Sequence, residues 1–163
     1  TCYAYNVQVK RVGRFDVQKA NALNIPKKLW SILQKQQSVE FEGKTYTSDM
    51  VLGSPRKGIK VSYCTDTRPT KELPAFVENS DLLICEGMYG EKDKIQKAKE
   101  YKHMMFTEAA EIAKKANVNE MWLTHFSPAM PFPEEFLPSA KEIFENTHIG
   151  KDRKNVTLLF EED

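Results

Sequence analysis

The stretch Asp81-Leu82-Leu83-Ile84-Cys85-Glu86 decides the fold, because its four central residues are all apolar. A strand with one face in water alternates between apolar and polar residues, whereas an unbroken apolar run is typical of a strand buried on both faces. Such strands lie inside the covered sheets of α/β proteins. The stretch therefore predicts a central strand of a layered α/β protein.

Further strands and helices are predicted on both sides of this stretch. Residues 59–64, 121–124 and 156–160 are predicted strands. Helical spacing or composition predicts helices over residues 70–79, 92–101, 107–117 and 133–146. Strands that alternate with helices in this way favour an α/β architecture with substantial parallel pairing.

The front third of the chain is less regular. Residues 3–12 alternate as a half-buried strand does, and Asp16 is a candidate N-cap for a short helix that ends near Leu23. Pro26 suits the first turn of a second short helix, and a small hairpin is expected to turn at Gly43. Because the sequence contains no repeat and no Gly/Ser linker, residues 1–163 are predicted to form a single unit.

Length and composition limit the class of protein. The chain has 163 residues, of which 40% are hydrophobic and 29% are charged, and its formal net charge is +1. These values fit one globular domain and argue against a disordered chain. A net charge near zero also argues against a protein that coats nucleic acid through overall charge.

No membrane is expected, because no apolar run approaches the roughly 18 residues that span a bilayer. Residues 1–6 lack the basic start and apolar core of a signal peptide. The three cysteines are an odd number without a Cys-x-x-Cys pair, which favours a reducing, cytoplasmic setting.

Charge is unevenly distributed along the chain. Residues 10–35 contain seven basic residues and one acidic residue, whereas residues 128–163 contain eight acids and four bases. Most such runs form a solvated face, which is the more common interpretation. The alternative is a segment that contacts phosphate groups, because clustered basic side chains attract a polyanion.

Polar side chains follow the predicted strands. Asp66 comes after the strand at 59–64, Glu86 ends the strand at 81–86, and His125 ends the strand at 121–124. His103 precedes the helix that begins near residue 107. Each could merely cap a turn or form a structural hydrogen bond, but together they favour a metal site built from carboxylates and imidazoles. His148 is instead expected to cap a helix C-terminus.

These motifs carry a family resemblance. They are residues 63–69 (Tyr-Cys-Thr-Asp-Thr-Arg-Pro), His103 ahead of an alanine-rich helix, residues 123–127 (Leu-Thr-His-Phe-Ser), and the front segments 12–17 and 24–26. In this order and spacing the chain resembles the carboxyl-terminal half of ribonuclease Z, the tRNA 3′-end processing endonuclease of the metallo-β-lactamase fold. The resemblance implies an α/β fold that is half of an αββα sandwich, a mixed sheet with helices on one face.

The resemblance also implies roles for individual residues. The aspartate that matches Asp66 bridges two zinc ions, and the histidine that matches His125 ligates one of them. The histidine that matches His103 helps to protonate the leaving oxygen. Residues 10–35 resemble a shortened form of the basic arm that binds tRNA, in which Lys27 and Lys28 retain positive charge at the family's Gly-Pro position.

One departure from the family concerns the metal ligands. The His-x-His-x-Asp-His loop that supplies most ligands in the family is absent from these 163 residues. Because a catalytic zinc needs about three protein ligands, Asp66 and His125 alone are too few for two ions. We therefore expect the chain alone to be inactive and not to retain zinc, and we expect the missing amino-terminal half to be its partner.

Two alternatives and one physical consequence remain. The altered arm is also compatible with a hydrolase of small phosphodiesters or esters, and the basic segment 10–35 with a non-catalytic binding or assembly module. If the chain is half of a sandwich, it exposes the apolar side of its sheet. Exposed apolar surface of this kind drives association, so the chain is expected to self-associate, with two copies packing together.

Overall fold

The computed structural model describes residues 2–162. The chain forms two compact units, one made of the chain up to Val9 with Ile59–Phe160, and one made of Lys10–Gly58 with Glu161 and Glu162. The strands are β1 (Ala4–Arg11), β2 (Ser38–Phe41), β3 (Lys44–Thr47), β4 (Arg56–Cys64), β5 (Leu82–Glu86), β6 (Glu120–Thr124) and β7 (Thr147–Ile149). The helices are α1 (Val17–Ala22), α2 (Lys27–Leu33), α3 (Leu73–Phe76), α4 (Ile95–Tyr101), α5 (Phe106–Lys115) and α6 (Leu137–Lys141).

The main sheet has the order β1-β4-β5-β6-β7. The four strands from β4 to β7 are parallel, and Cys64 pairs with Cys85, which pairs with Leu123. Strand β1 is antiparallel to β4. Two contacts show this direction: the Thr65 amide donates to the Tyr3 carbonyl, and the Ser62 hydroxyl donates to Asn6 Oδ1. The sheet is therefore mixed, and the residues that follow β4, β5 and β6 meet at one edge.

Helices α3, α5 and α6 pack on one face of this sheet. Helix α5 contributes buried small side chains, including Ala109, Ala110 and Ala113, to the core that contains Leu83 and Leu123 of the neighbouring strands. Small side chains let the helix backbone approach the sheet closely, and the apolar area that they bury stabilises the unit at about 25 cal/mol per Å². The predicted α/β class, with helices on one face of a mixed sheet, is confirmed.

The opposite face of β1 is apolar and exposed. Ala4 and Asn6 point toward the helix-covered side, where Ala4 packs on the core. The odd-numbered residues that alternate with them are 50–63% exposed: Tyr3, Tyr5, Val7 and Val9. We call these four residues the outer face of β1. Its composition is unusual for a surface strand, because exposed positions are ordinarily polar.

The second unit has its own small core, to which Leu29 and Leu33 of α2 and Val51 contribute. Asp16 caps α1 by accepting a hydrogen bond from the Lys19 amide at 2.8 Å, as the sequence predicts. The hairpin β2–β3 turns through two residues of positive φ, Glu42 and Gly43. The basic segment 10–35 lies within this second unit.

Three element predictions differ from the structure. The helix expected over 70–79 is limited to α3, and the helix expected over 133–146 is a short 3₁₀ turn, Pro133–Phe136, followed by α6. Residues 156–160 form no strand, and the last strand is β7. His148 lies in β7 and not at the end of a helix, so its predicted role as a helix cap is wrong.

Among residues 2–162, no helix combines the length and the apolar character that crossing a membrane requires.

Candidate metal centre

The structure brings three of the predicted site residues together. One ligand atom each of Asp66, His103 and His125 lies within 4.8 Å of the other two. His125 Nε2 is 3.3 Å from Asp66 Oδ2, and the two imidazole rings have centroids 5.4 Å apart. We call these three residues the metal-site cluster. All three belong to the first compact unit.

The sheet positions two members of this cluster. Asp66 follows β4 and His125 follows β6, so both lie just past the carboxyl ends of parallel strands. His125 has a φ of +59°, in the left-handed region that residues other than glycine seldom adopt. Backbone conformations of this kind cost free energy and are concentrated at functional sites.

His103 reaches the cluster from a connection between two helices. Lys102 follows α4 as its C-cap, and its φ of +64° turns the chain. The His103 amide donates to the Ala98 carbonyl at 2.9 Å. The next two residues, Met104 and Met105, are buried and anchor the connection before α5 begins. His103 is thus held on a fixed backbone, with its side chain 17% exposed.

Glu86 lies behind His103. Its side chain is only 1% exposed, and its Oε2 is 3.2 Å from His103 Nδ1. Its Oε1 accepts the Thr67 amide at 2.5 Å. Because a carboxylate oxygen accepts hydrogen bonds, His103 Nδ1 is the ring nitrogen placed to donate to Glu86, and Nε2 is the ring nitrogen left for other contacts.

Burial raises the pKa of the Glu86 carboxyl above its ordinary value, while hydrogen bonds from the Thr67 and Met104 amides and the neighbouring His103 oppose the shift. Glu86 ends β5, as the sequence predicts, but its pairing with His103 is not evident from the sequence. The available signal is a glutamate at the end of a strand buried on both faces, because a buried carboxylate requires a partner.

The cluster suits a cation chemically and sterically. Asp66 and His125 are 50% and 45% exposed, so solvent and a substrate can reach them. One carboxylate and two imidazoles form the nitrogen and oxygen donor set that zinc accepts, and three protein donors match the number in catalytic zinc sites. The family resemblance implies only Asp66 and His125 as ligands, but the strand-end pattern also includes His103, and the structure places it where it can serve as a third donor.

The predicted nucleic-acid residues belong to the other compact unit. Lys27 and Lys28 are exposed and begin α2. The Lys28 ammonium lies 3.7 Å from the centre of the Phe41 ring, which is a cation–π contact. Both side chains are accessible from solvent, as a phosphate contact requires.

Comparison with known proteins agrees with this description. The family model described as "Beta-lactamase superfamily domain" matches residues 13–126, which include the whole metal-site cluster. The chain is 57% identical over 162 residues to ribonuclease Z of Agathobacter rectalis, covering 99% of this chain and 54% of that protein. It is 57% identical over 160 residues to ribonuclease Z of Clostridium acetobutylicum, covering 98% and 52%. The chain thus spans about half the length of the curated relatives it matches.

Solved structures support the fold. The crystal structure of human tRNase Z, short form, aligns with a TM-score of 0.50 at 19% identity, over 71% of this chain and 37% of that one. At this identity the likeness concerns the fold alone. The resemblance to ribonuclease Z that the motifs indicate is confirmed by the curated relatives. From its fold and from the match over residues 13–126, the chain belongs to the beta-lactamase superfamily.

Proposed function

We propose that this chain forms the carboxyl-terminal part of a zinc-dependent endonuclease of the ribonuclease Z type, which cleaves tRNA precursors at the 3′ end. The observation that carries the proposal is the convergence of Asp66, His103 and His125 at one sheet edge, in a chain 57% identical to proteins named ribonuclease Z. A role in tRNA processing would place the protein in the cytoplasm.

In this function Asp66 and His125 would hold zinc. Asp66 would supply carboxylate oxygens and His125 an imidazole nitrogen, both of which zinc accepts as ligands. Zinc, when bound, polarises the phosphodiester as a Lewis acid. Two ions need more ligands than the cluster contains, so we propose that the complementary half of the fold supplies the others.

His103 acts as the acid in the proposed reaction. Its Nδ1 contacts Glu86, so in the form with a hydrogen on both ring nitrogens His103 would donate the Nε2 proton to the departing 3′ oxygen and keep the one on Nδ1. Glu86 fixes the orientation of the ring, because its buried carboxylate lies 3.2 Å from Nδ1. A residue that is held in this way loses little entropy when substrate binds.

The proposed partners follow from the exposed surfaces. The outer face of β1 (Tyr3, Tyr5, Val7, Val9) would pack against the complementary half, and two copies of the chain would cover it when that half is absent. Lys27 and Lys28 would contact phosphate groups of the tRNA, since both are exposed and positively charged.

The test is a chimera in which this chain replaces the matched half of the Agathobacter rectalis ribonuclease Z. We expect cleavage of a tRNA precursor at the 3′ end, and its loss in the His103→Ala chimera, with His148→Ala as the matched control. Turnover of bis(p-nitrophenyl) phosphate without cleavage of the tRNA precursor would contradict the proposal and favour a hydrolase of small phosphodiesters.

The RNA-contact proposal is tested separately. The Lys27→Gln/Lys28→Gln variant should bind tRNA more weakly than the wild type, with a salt dependence reduced by roughly 0.7 to 0.9 in log–log slope for each lost phosphate contact. The control is Lys141→Gln, which removes a charge from the acidic carboxyl-terminal region. If the isolated chain binds tRNA but the chimera does not cleave it, the non-catalytic binding module is the better description.

A further inference from the structure

We infer that Arg68 is a positioning residue that holds His103 in its place at the metal-site cluster. This inference rests on the proposed function for its catalytic meaning, but its geometry stands independently. Arg68 lies two residues after Asp66, in the loop that follows β4, and its side chain crosses to the connection between α4 and α5.

The Arg68 guanidinium forms a direct hydrogen bond to the backbone of His103. Its Nη1 donates to the His103 carbonyl oxygen at 2.6 Å. The same guanidinium forms a two-pronged ion pair with Glu108 on α5, in which Nη1 is 2.7 Å from Oε2 and Nη2 contacts Oε1. Both side chains are largely shielded, with 25% and 19% exposure, so water screens the pair less than it screens a surface pair.

Glu108 connects this ion pair to the start of α5. Its Oε2 also accepts the Met105 amide at 2.9 Å, which caps the helix. The segment from His103 to Met105 is therefore bound at both ends: Arg68 holds its first carbonyl, and the carboxylate that Arg68 pairs with holds its last amide. A segment fixed at both ends keeps the His103 backbone in one conformation.

The loop that carries Asp66 is thus connected to His103 at two points, the imidazole ring and the backbone carbonyl. The Thr67 amide donates to Glu86, which contacts the His103 ring, while Arg68 binds the His103 carbonyl. Through these adjacent residues the position of the ring relative to Asp66 is set by direct hydrogen bonds. Placement within about 0.5 Å is what a catalytic acid requires.

The side-chain chemistry requires arginine rather than any cation. One planar guanidinium supplies donors to the His103 carbonyl and to both carboxylate oxygens of Glu108 at the same time, whereas an ammonium is a single compact point charge. Lysine would retain the charge and lose this geometry. Arg68→Lys is therefore the informative substitution, because it keeps the positive charge but removes the set of donors that binds His103 and Glu108 together.

The experiment measures the imidazole nitrogens of His103 by NMR in the full chain. In the wild type we expect one set of signals, with the hydrogen on Nδ1. In Arg68→Lys we expect displaced or exchange-broadened His103 signals, whereas those of His148 stay unchanged. Glu108→Gln retains a side chain that can cap α5 and accept one hydrogen bond from Arg68 but removes the ion pair, and it should give a smaller displacement in the same direction.

The control is Glu134→Gln, which breaks the exposed ion pair with Lys151 and should leave the His103 signals unmoved. If Arg68 only stabilised α5, its substitution would lower the free energy of unfolding without altering the His103 signals of the folded chain. Unchanged His103 signals in folded Arg68→Lys would therefore overturn the inference, whether or not the chimera is active. If Arg68→Lys does not fold, Glu108→Gln still decides the question.

In an active chimera, Arg68→Lys should lower kcat roughly 10- to 100-fold with little change in KM, because a misplaced acid affects the chemical step. A change in KM alone, with kcat unaltered, would count against a role in positioning His103. An inactive wild-type chimera would refute the proposed function, while the NMR result would still decide the role of Arg68.

Discussion

Glu86 is the residue whose burial has the clearest physical consequence. Its carboxyl is nearly inaccessible, and burial raises its pKa above the ordinary value of 4.5. A raised pKa means that the folded state binds a proton more tightly than the unfolded state does. The contribution of Glu86 to stability is therefore most favourable below pH 4.5 and decreases as pH rises through the folded-state pKa.

The Glu86→Gln variant should remove this dependence. We expect the stability of the variant relative to the wild type to increase as pH rises from 4.5, because glutamine carries no charge to desolvate. Urea unfolding at several pH values between 4 and 8 measures the difference. A constant difference over this range would show that His103 and the two amide donors fully compensate the buried charge.

The metal-site cluster predicts that the chain binds a single zinc ion. In the isolated chain His103 can serve as a third donor beside Asp66 and His125, which suffices for one ion, whereas in the proposed complete enzyme other ligands leave His103 free to act as the acid. The sequence-based expectation that the chain retains no zinc depends on a count of two ligands, and the position of His103 changes that count. In isothermal titration calorimetry we expect one zinc per chain and an affinity lowered about tenfold or more by Asp66→Asn, with His148→Ala as control. Absence of zinc binding to the wild-type chain would restore the original expectation.

At the scale of elements, the sequence predicts what depends on local pattern and misses what depends on neighbours. The buried strand at 81–86 and the capped helix after Asp16 are evident, because an apolar run and a side-chain cap are local signals. Strand β7 has three residues, too few to show a period, and it exists because β6 offers it an edge. Helix α6 contributes Leu137 and Ala140 to the core but ends at Lys141, short of the predicted bound at residue 146.

The same limit applies to the site. The positions of Asp66 and His125 follow from one rule about strand ends, whereas the contacts of Arg68 with His103 and Glu108 cross 35 and 40 residues of sequence. No local pattern indicates such contacts.

Helix α1 offers a test of a local signal. The Asp16 side chain accepts from the Lys19 amide at 2.8 Å, so removal of its carboxylate leaves that donor without its cap. Asp16→Ala should lower the free energy of unfolding by about 1 kcal/mol. Asp16→Asn retains an acceptor and should cost less than half of that. Equal losses in the two variants would show that the charge of Asp16, rather than its hydrogen bond, stabilises the helix. Urea unfolding measures both.

At the scale of the whole molecule, the decisive feature is the outer face of β1. Its four side chains are at least half exposed and apolar, although β1 is an ordered strand of the main sheet. A surface of this kind is stabilised when another protein surface removes it from water. We therefore expect the chain to self-associate at micromolar concentrations in sedimentation-velocity experiments, with a sedimentation coefficient that rises with concentration.

Substitution locates the contact. Val7→Lys places a charge at a position that is 63% exposed, so it should leave the fold intact and shift the chain toward monomer. Leu159→Lys is the matched control, because Leu159 is 79% exposed but lies outside β1, and it should leave association unchanged. Because the outer face of β1 is the surface that the complementary half would cover, the active chimera should remain unaffected by the association seen in the isolated chain. A wild-type chain that stays monomeric throughout, or a Leu159→Lys effect equal to that of Val7→Lys, would show that this face does not mediate association.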